Sequence, residues 1–221
     1  MARVVLTILL AVFLPLAALM VVLSTPVVQA LGGASIANSA ADPAEREHLV
    51  EVALAVRDFS LGNDAAAMPA GEDYRIAITP DAKAHLLDVR RVFICSEFAS
   101  VSLAIALFIM MLIVVRRSGP GTLSRPLIIG GIIPLAGSAL LGIAIAVDFS
   151  AFFVWMHGLF FANGSWTFPA DSLLIRALPY DFWVGCAEVW ALSMALFCMV
   201  SIGAGLILKR RSTYLDNSLP R

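Results

Sequence analysis

The chain has 221 residues, 60% of them hydrophobic and 14% charged, with a formal net charge of −1 and a mean hydropathy of +0.91. Soluble domains carry roughly 45–50% apolar and about 25% charged residues, so the composition excludes an ordinary soluble domain and points to one integral membrane domain, 1–221. No long basic run with interleaved aromatics occurs, which argues against nucleic acid as a partner.

Val4 to Leu23 is uncharged and follows a lone Arg3. Val28-Gln29-Ala30 resembles a small-residue cleavage site. A signal h-region runs about 7–15 residues, however, whereas a span needs about 20, so an uncleaved first span is expected. In the segment that follows, Leu31 to Ala41 is rich in Gly, Ala and Ser and reads as a loose connection. Asp42-Pro43-Ala44-Glu45 is a helix start, with Asp at the N-cap and Pro at the first helical position. Leu49, Val52, Val56 and Phe59 then give one apolar face, for a helix that lies on the outer leaflet or packs over the bundle. Gly62-Asn63-Asp64 ends it, and Ala65 to Thr79 has no periodicity and reads as loop.

Thr79-Pro80-Asp81 starts a second helix, and no breaker intervenes before Arg117. It should begin outside the bilayer and continue as the span 92–115. Two further spans follow, 127–147 and 184–208, and the first is placed at 4–23. Arg3, the 116–126 loop with Arg116, Arg117 and Arg125, and the 209–221 tail with Lys209, Arg210 and Arg211 fall on one side, which the positive-inside rule makes the cytoplasm. Segments 24–91 and 148–183 then lie outside, and both termini lie inside. The fold class expected is an all-α membrane protein: four transmembrane helices with a helical extracytoplasmic cap and interfacial helices.

Segment 148–183 holds 11 of the chain's 20 aromatic residues, as befits the membrane–water boundary. Ser150 to Ala162 and Asp171 to Leu178 are apolar but too short to span, so each should be an interfacial or re-entrant helix. Asn163-Gly164-Ser165 is a turn between them. The three cysteines, Cys95, Cys186 and Cys198, fall in or at apolar runs and read as small hydrophobes.

Chemistry concentrates on the outer side. Of the three histidines, His48 sits among Glu45, Glu47 and Glu51 and reads as solvated surface. His85 lies about two turns before the second span, three residues from Asp88, which can orient an imidazole. His157 lies in the aromatic segment, at the same depth by topology. Imidazole takes and returns a proton near neutral pH, and two of them with Asp88, Arg90, Asn163 and Asp171 nearby can form a proton-transfer and oxyanion-binding site. The plainer alternative, that each histidine bonds a loop backbone, is equally open here. No HExxH or G-x-S-x-G occurs. Glu97 and Glu188 lie about one turn inside spans, with a boundary salt bridge to Arg90, Arg91 or Arg176 as the favoured reading.

Taken together, His85-Leu86-x-Asp88-Val89-Arg90 before a span and His157-x-x-Phe160-Phe161-x-Asn163-x-x-Trp166 followed by Pro179-x-x-Phe182 resemble a four-span bacterial membrane family whose characterised members are lipoprotein intramolecular transacylases. The resemblance covers most of the chain apart from 31–41. It implies a membrane-bound acyltransferase that moves an acyl chain from the diacylglyceryl group of a lipoprotein to the α-amine of its N-terminal cysteine. His85 and His157 would be catalytic, with exchangeable roles, and Asp88, Arg90, Asn163, Trp166 and Asp171 supporting. No cofactor and no metal are implied; the partners would be diacylglyceryl-modified lipoproteins and membrane lipids. The competing functions are a non-catalytic accessory protein that docks a partner on the aromatic loop, and a metal-dependent enzyme using both histidines and an acid. A shared histidine site requires the two rings within about 8 Å.

Overall fold

The computed structural model describes residues 1–37, 42–161 and 164–218, the last four by their backbone alone. The helices are α1 (Ala2–Val22), α2 (Thr25–Ala37), α3 (Pro43–Ser60), α4 (Pro80–Ser118), α5 (Ser124–Val147), α6 (Phe149–Phe160), α7 (Leu173–Ala177) and α8 (Tyr180–Ser218). A 3-10 turn, Pro120–Leu123, joins α4 to α5, and there is no strand among the described residues. α1, α4, α5 and α8 are each long and apolar enough to cross a membrane, as the hydropathy predicts.

These helices gather into two compact units. The first comprises residues 1–19, 97–143 and 190–221. Its core is a seam of Leu6, Leu10 and Leu14 from α1, Leu107 and Val114 from α4, and Met194 and Cys198 from α8. Outward-facing side chains are apolar too: Phe98 is 75% exposed and Leu192 72%. Faces of that kind are stable only against hydrocarbon. Hydrogen bonding inside this unit follows the same logic, since a polar group in lipid must find a protein partner. The Trp190 Nε1–H donates to Pro15 O at 3.2 Å and the Ser201 hydroxyl to Leu127 O at 2.9 Å. Close approach of α5 and α8 depends on Gly205, where a Cβ would stand 2.8 Å from Ser124 O. The basic residues also collect: Arg3 and Arg125 line one cleft. A Cβ at Gly121 would meet Ser212 Oγ at 2.8 Å, so the turn between α4 and α5 abuts the basic tail of α8.

The second unit comprises residues 20–96 and 144–189. Here α3 presents the expected face: Leu49, Val52, Val56 and Phe59 are all buried, in a cluster with Val28 and Ile36 of α2, Leu86 of α4 and Leu173 and Leu174 of α7. Asp42 caps α3 by accepting from Ala44 N at 3.2 Å. α2 departs from expectation. Leu31 to Ala37 is helical rather than a loose connection, while 38–41 lies outside the described residues. Of the small residues that suggested a loop, Ser35 is buried and its hydroxyl donates to Leu31 O at 2.7 Å within the helix. A Cβ at Gly32 would meet Val50 at 4.0 Å, and one at Gly185 of α8 would stand 2.7 Å from Leu31. Val28, Gln29 and Ala30 lie within α2, with Val28 buried.

Two devices fix the elements that carry the histidines. At the start of α4, Thr79 Oγ1 accepts from Ala82 N at 3.3 Å. Asp148 caps α6 by accepting from Ala151 N at 2.9 Å. α7 is tied to its surroundings by three bonds: Leu173 N to Tyr74 O at 2.8 Å, the Arg176–Glu45 ion pair, and Arg176 Nη1 to Arg75 O at 3.3 Å.

Candidate active site

His85 sits in the second turn of α4, in the extension that precedes the apolar stretch 92–115. His157 sits in the last turn of α6. Both belong to the second unit and both are buried, at 7% exposure each. Their ring centroids are 6.2 Å apart, so the two imidazoles share one site. α6 is inverted relative to a helix of a soluble protein. Val154, Trp155, Leu159 and Phe160 face outward at more than half exposure while its imidazole faces inward. Its 12 residues span only about 18 Å, too short to cross a bilayer, and such a helix lies in the membrane boundary with its apolar face in lipid.

The walls around the two rings are aromatic. Phe153, four residues before His157, stacks on it with centroids 3.8 Å apart. Trp166 lies 4.9 Å from the His157 ring. Phe161 packs edge-on against His85 at 4.8 Å, and Phe168 lies 5.8 Å from the same ring. Burial among these rings disfavours the charged form of imidazole. It holds both histidines below their ordinary value. For His85 the neighbouring His157 acts in the same direction, against a smaller opposing pull from Asp88. For His157 burial outweighs the hydrogen bond to the Phe153 carbonyl. Both rings are therefore neutral at pH 7.

That hydrogen bond also sets the tautomer. His157 Nδ1 lies 3.0 Å from Phe153 O. A carbonyl oxygen can only accept, so Nδ1 carries the proton and Nε2 has a free lone pair. His85 Nδ1 is buried and has no hydrogen-bond partner among the described residues.

A family model described as lipoprotein intramolecular transacylase Lit matches residues 4–183. The chain belongs to that family. It is a family of membrane enzymes. Among solved structures the chain is similar to the membrane-integral lipoprotein intramolecular transacylase Lit from Bacillus cereus, at 16% identity and a TM-score of 0.69, covering 98% of this chain and 94% of that one. A variant of the same protein with a histidine changed to arginine gives 15% identity and a TM-score of 0.71 over 96% and 92% of the two chains. At these identities the likeness is one of fold. No curated protein matches the sequence.

Within this transacylase fold the seven residues singled out from the sequence are distributed unevenly. His85, His157 and Trp166 come together. Asp88 turns to Arg91 at 2.8 Å rather than to His85. Arg90 is engaged by Asp64 at 2.5 Å and by Gly62 O at 3.1 Å, and its guanidinium lies over the Phe59 ring. Asp171 pairs with the Arg75 guanidinium at 2.9 Å, which holds its carboxyl below the usual range. Asn163 lies outside the described residues. The boundary salt bridges expected for Glu97 and Glu188 do not form with Arg90, Arg91 or Arg176, which pair with Asp64, Asp88 and Glu45 respectively. Each arginine reaches a carboxylate of the water-exposed loops and helices, so none extends along the apolar part of a span. Phe161 belongs to the motif read from the sequence, whereas Phe153 was not singled out; it stands four residues before His157, and that spacing was the available signal.

One consequence can be checked directly. Asp88→Asn and Asp171→Asn should each change the transacylation rate by less than about threefold, because each removes an exposed ion pair with an arginine rather than a hydrogen-bond partner of either imidazole. A loss above tenfold in initial rate for either variant would place a carboxylate in the reaction.

Proposed function

We propose that this chain moves an acyl chain from the diacylglyceryl group of a lipoprotein onto the α-amine of the lipoprotein's N-terminal cysteine, with His157 as proton acceptor and His85 as proton donor. The observation that carries the reading is the pair of buried imidazoles 6.2 Å apart, one with a ring nitrogen held by the Phe153 carbonyl.

The amine nitrogen attacks the ester carbonyl of the same substrate molecule as His157 Nε2 accepts the amine proton. The N–C bond forms and the carbonyl becomes an oxyanion. His85 donates its N–H proton to the glycerol oxygen as the C–O bond breaks. Proton return from His157 to His85 restores both rings. The products are an N-acyl cysteine and a free glycerol hydroxyl, so every proton and bond is accounted for. No acyl-enzyme is needed, in keeping with the lack of a serine-nucleophile motif.

Most of the acceleration is positional. Holding amine and ester in contact contributes about 7–11 kcal/mol in well-oriented intramolecular reactions, and proton transfer by placed imidazoles adds roughly 10²–10⁴-fold. The exposed apolar face of α6 supports a location at the lipid boundary, where the acyl chains stay in hydrocarbon while the peptide leads to water. The basic residues gathered at one end of the first unit support cytoplasmic termini, and in chain order the segments that carry the histidines then fall on the outer side.

Mass spectrometry of a reporter lipoprotein's N-terminal peptide, from cells with and without this protein, tests the proposal. An N-acylated peptide on a lyso-glyceryl group is expected only when the protein is present. An unchanged diacylglyceryl peptide with a free amine would overturn it and leave the accessory-protein reading in its place.

A further inference from the structure

We infer that the basic end of the first unit holds a site for the phosphate headgroup of an anionic membrane phospholipid, separate from the histidine pair. A cleft of about 490 Å³ opens there, lined by the first turns of α1 and α5 and the last turns of α4. Arg3 enters from α1 and Arg125 from α5, and Ser118 closes the cleft from α4. Neither guanidinium is paired with a carboxylate among the described residues. Both side chains are exposed, and two cations from different helices at one cleft make it attractive to an anion. The starts of α1 and α5 bring positive helix-dipole ends and the last turn of α4 a negative one, so the charge preference rests mainly on the guanidiniums.

The walls decide what kind of anion fits. Val4, Val114 and Ile129 line the same cleft, so its surface passes from cationic to apolar as it enters the span region. A free inorganic phosphate has no use for that apolar wall, whereas a phosphodiester followed by glycerol and acyl chains matches both parts. The threonine hydroxyls of the cleft are already spent, Thr7 on Arg3 O at 2.9 Å and Thr122 on Ser118 O at 2.8 Å. Recognition therefore rests on the two guanidinium forks, which suit phosphate oxygens in pairs. A zwitterionic headgroup brings its own cation into this field and is disfavoured; a headgroup of net charge −1 is favoured.

Native mass spectrometry of the purified full chain in mild detergent tests this, with dioleoyl-phosphatidylglycerol, dioleoyl-phosphatidylcholine and glycerol 1-phosphate as probes. One phosphatidylglycerol should bind with clear preference over phosphatidylcholine. Replacing both Arg3→Gln and Arg125→Gln should weaken it roughly 30-fold, taking the usual surface contribution of each basic side chain. Arg210→Gln with Arg211→Gln, which removes two charges outside the cleft, should weaken it less than about threefold. Arg125→Lys keeps the charge that sets topology and still loses affinity several-fold, because the fork is gone; it serves if the double variant fails to fold. Equal binding of both lipids, equal losses from the two double variants, or full competition by glycerol 1-phosphate would each overturn the assignment. These readouts do not involve transacylation, so they stand or fall independently of the reaction.

Discussion

His157→Ala is expected to lower the initial rate of N-acylation by roughly 10²–10⁴-fold, the contribution of a placed general base, while leaving the protein folded. His85→Ala should lose a comparable factor. The double variant should be little worse than either single one, because the two rings form one proton relay and groups that work as a unit are not additive. The discriminating member of the set is His157→Gln. Its side-chain amide can keep a hydrogen bond in the same place but cannot accept and return a proton. If the ring only fills space among Phe153, Phe161 and Trp166, glutamine should restore most of the rate. Under the reaction argued above it should not. Thermal unfolding of each variant in the same detergent supplies the control. Neither imidazole is charged in the fold and His85 Nδ1 is already without a partner among the described residues, so the penalty for its removal is a cavity rather than a broken network. Retained activity in His157→Ala would remove the histidine from the chemistry.

The four long helices were legible because the bilayer imposes a length and an apolar composition that a sequence displays directly. α3 was legible for a second reason: its cap, its proline and its four apolar positions all agree, and Leu49, Val52, Val56 and Phe59 are all buried. α2 was not legible. Its glycines and serine lower helix propensity in water, yet Val28 and Ile36 bury in one cluster with α3 and Gly185 of α8 admits Leu31 closely, and packing outweighs propensity. The meeting of His85 and His157 followed from topology, since both segments flank spans on one side. The fate of the carboxylates did not follow. Asp88 has a histidine three residues before it and an arginine three residues after it. On an exposed face it takes the charge-assisted partner, whereas turning inward would strip water from a carboxylate beside two neutral rings. Arg90 and Asp64 are 26 positions apart and no local rule connects them. The aromatic walls were legible in part: Phe161 and Trp166 stand in the motif around His157, whereas Phe153 and Phe168 are not distinguished by the sequence from the other aromatic rings of 148–183.

Between pH 6 and pH 8 the value of kcat/KM should rise roughly 40-fold, following the free amine of the substrate, whose ordinary pKa is about 7.7–8.0. The reason lies in what surrounds the histidines. Asp88 and Asp171 are both paired elsewhere, and the described walls are aromatic. An ammonium brought there would lose its water and gain no counter-ion, so the amine enters as the neutral base. The histidines contribute no break between about pH 6.5 and pH 8. Their proton affinities are both lowered, chiefly by burial, so the rings stay neutral down to some point below about pH 6.5. Only there should the profile steepen, as a second proton begins to occupy the site. The sign for stability is the same. Below about pH 6.5 the unfolded chain binds protons that the buried rings refuse, so the unfolding temperature should fall with acid and stay level above that point. A flat kcat/KM between pH 6.5 and 7.7 would mean that the ammonium itself is the form bound and that an imidazole takes its proton after binding. In that event the neutral-amine argument fails, and a carboxylate or backbone carbonyl not counted in these walls must face the substrate nitrogen.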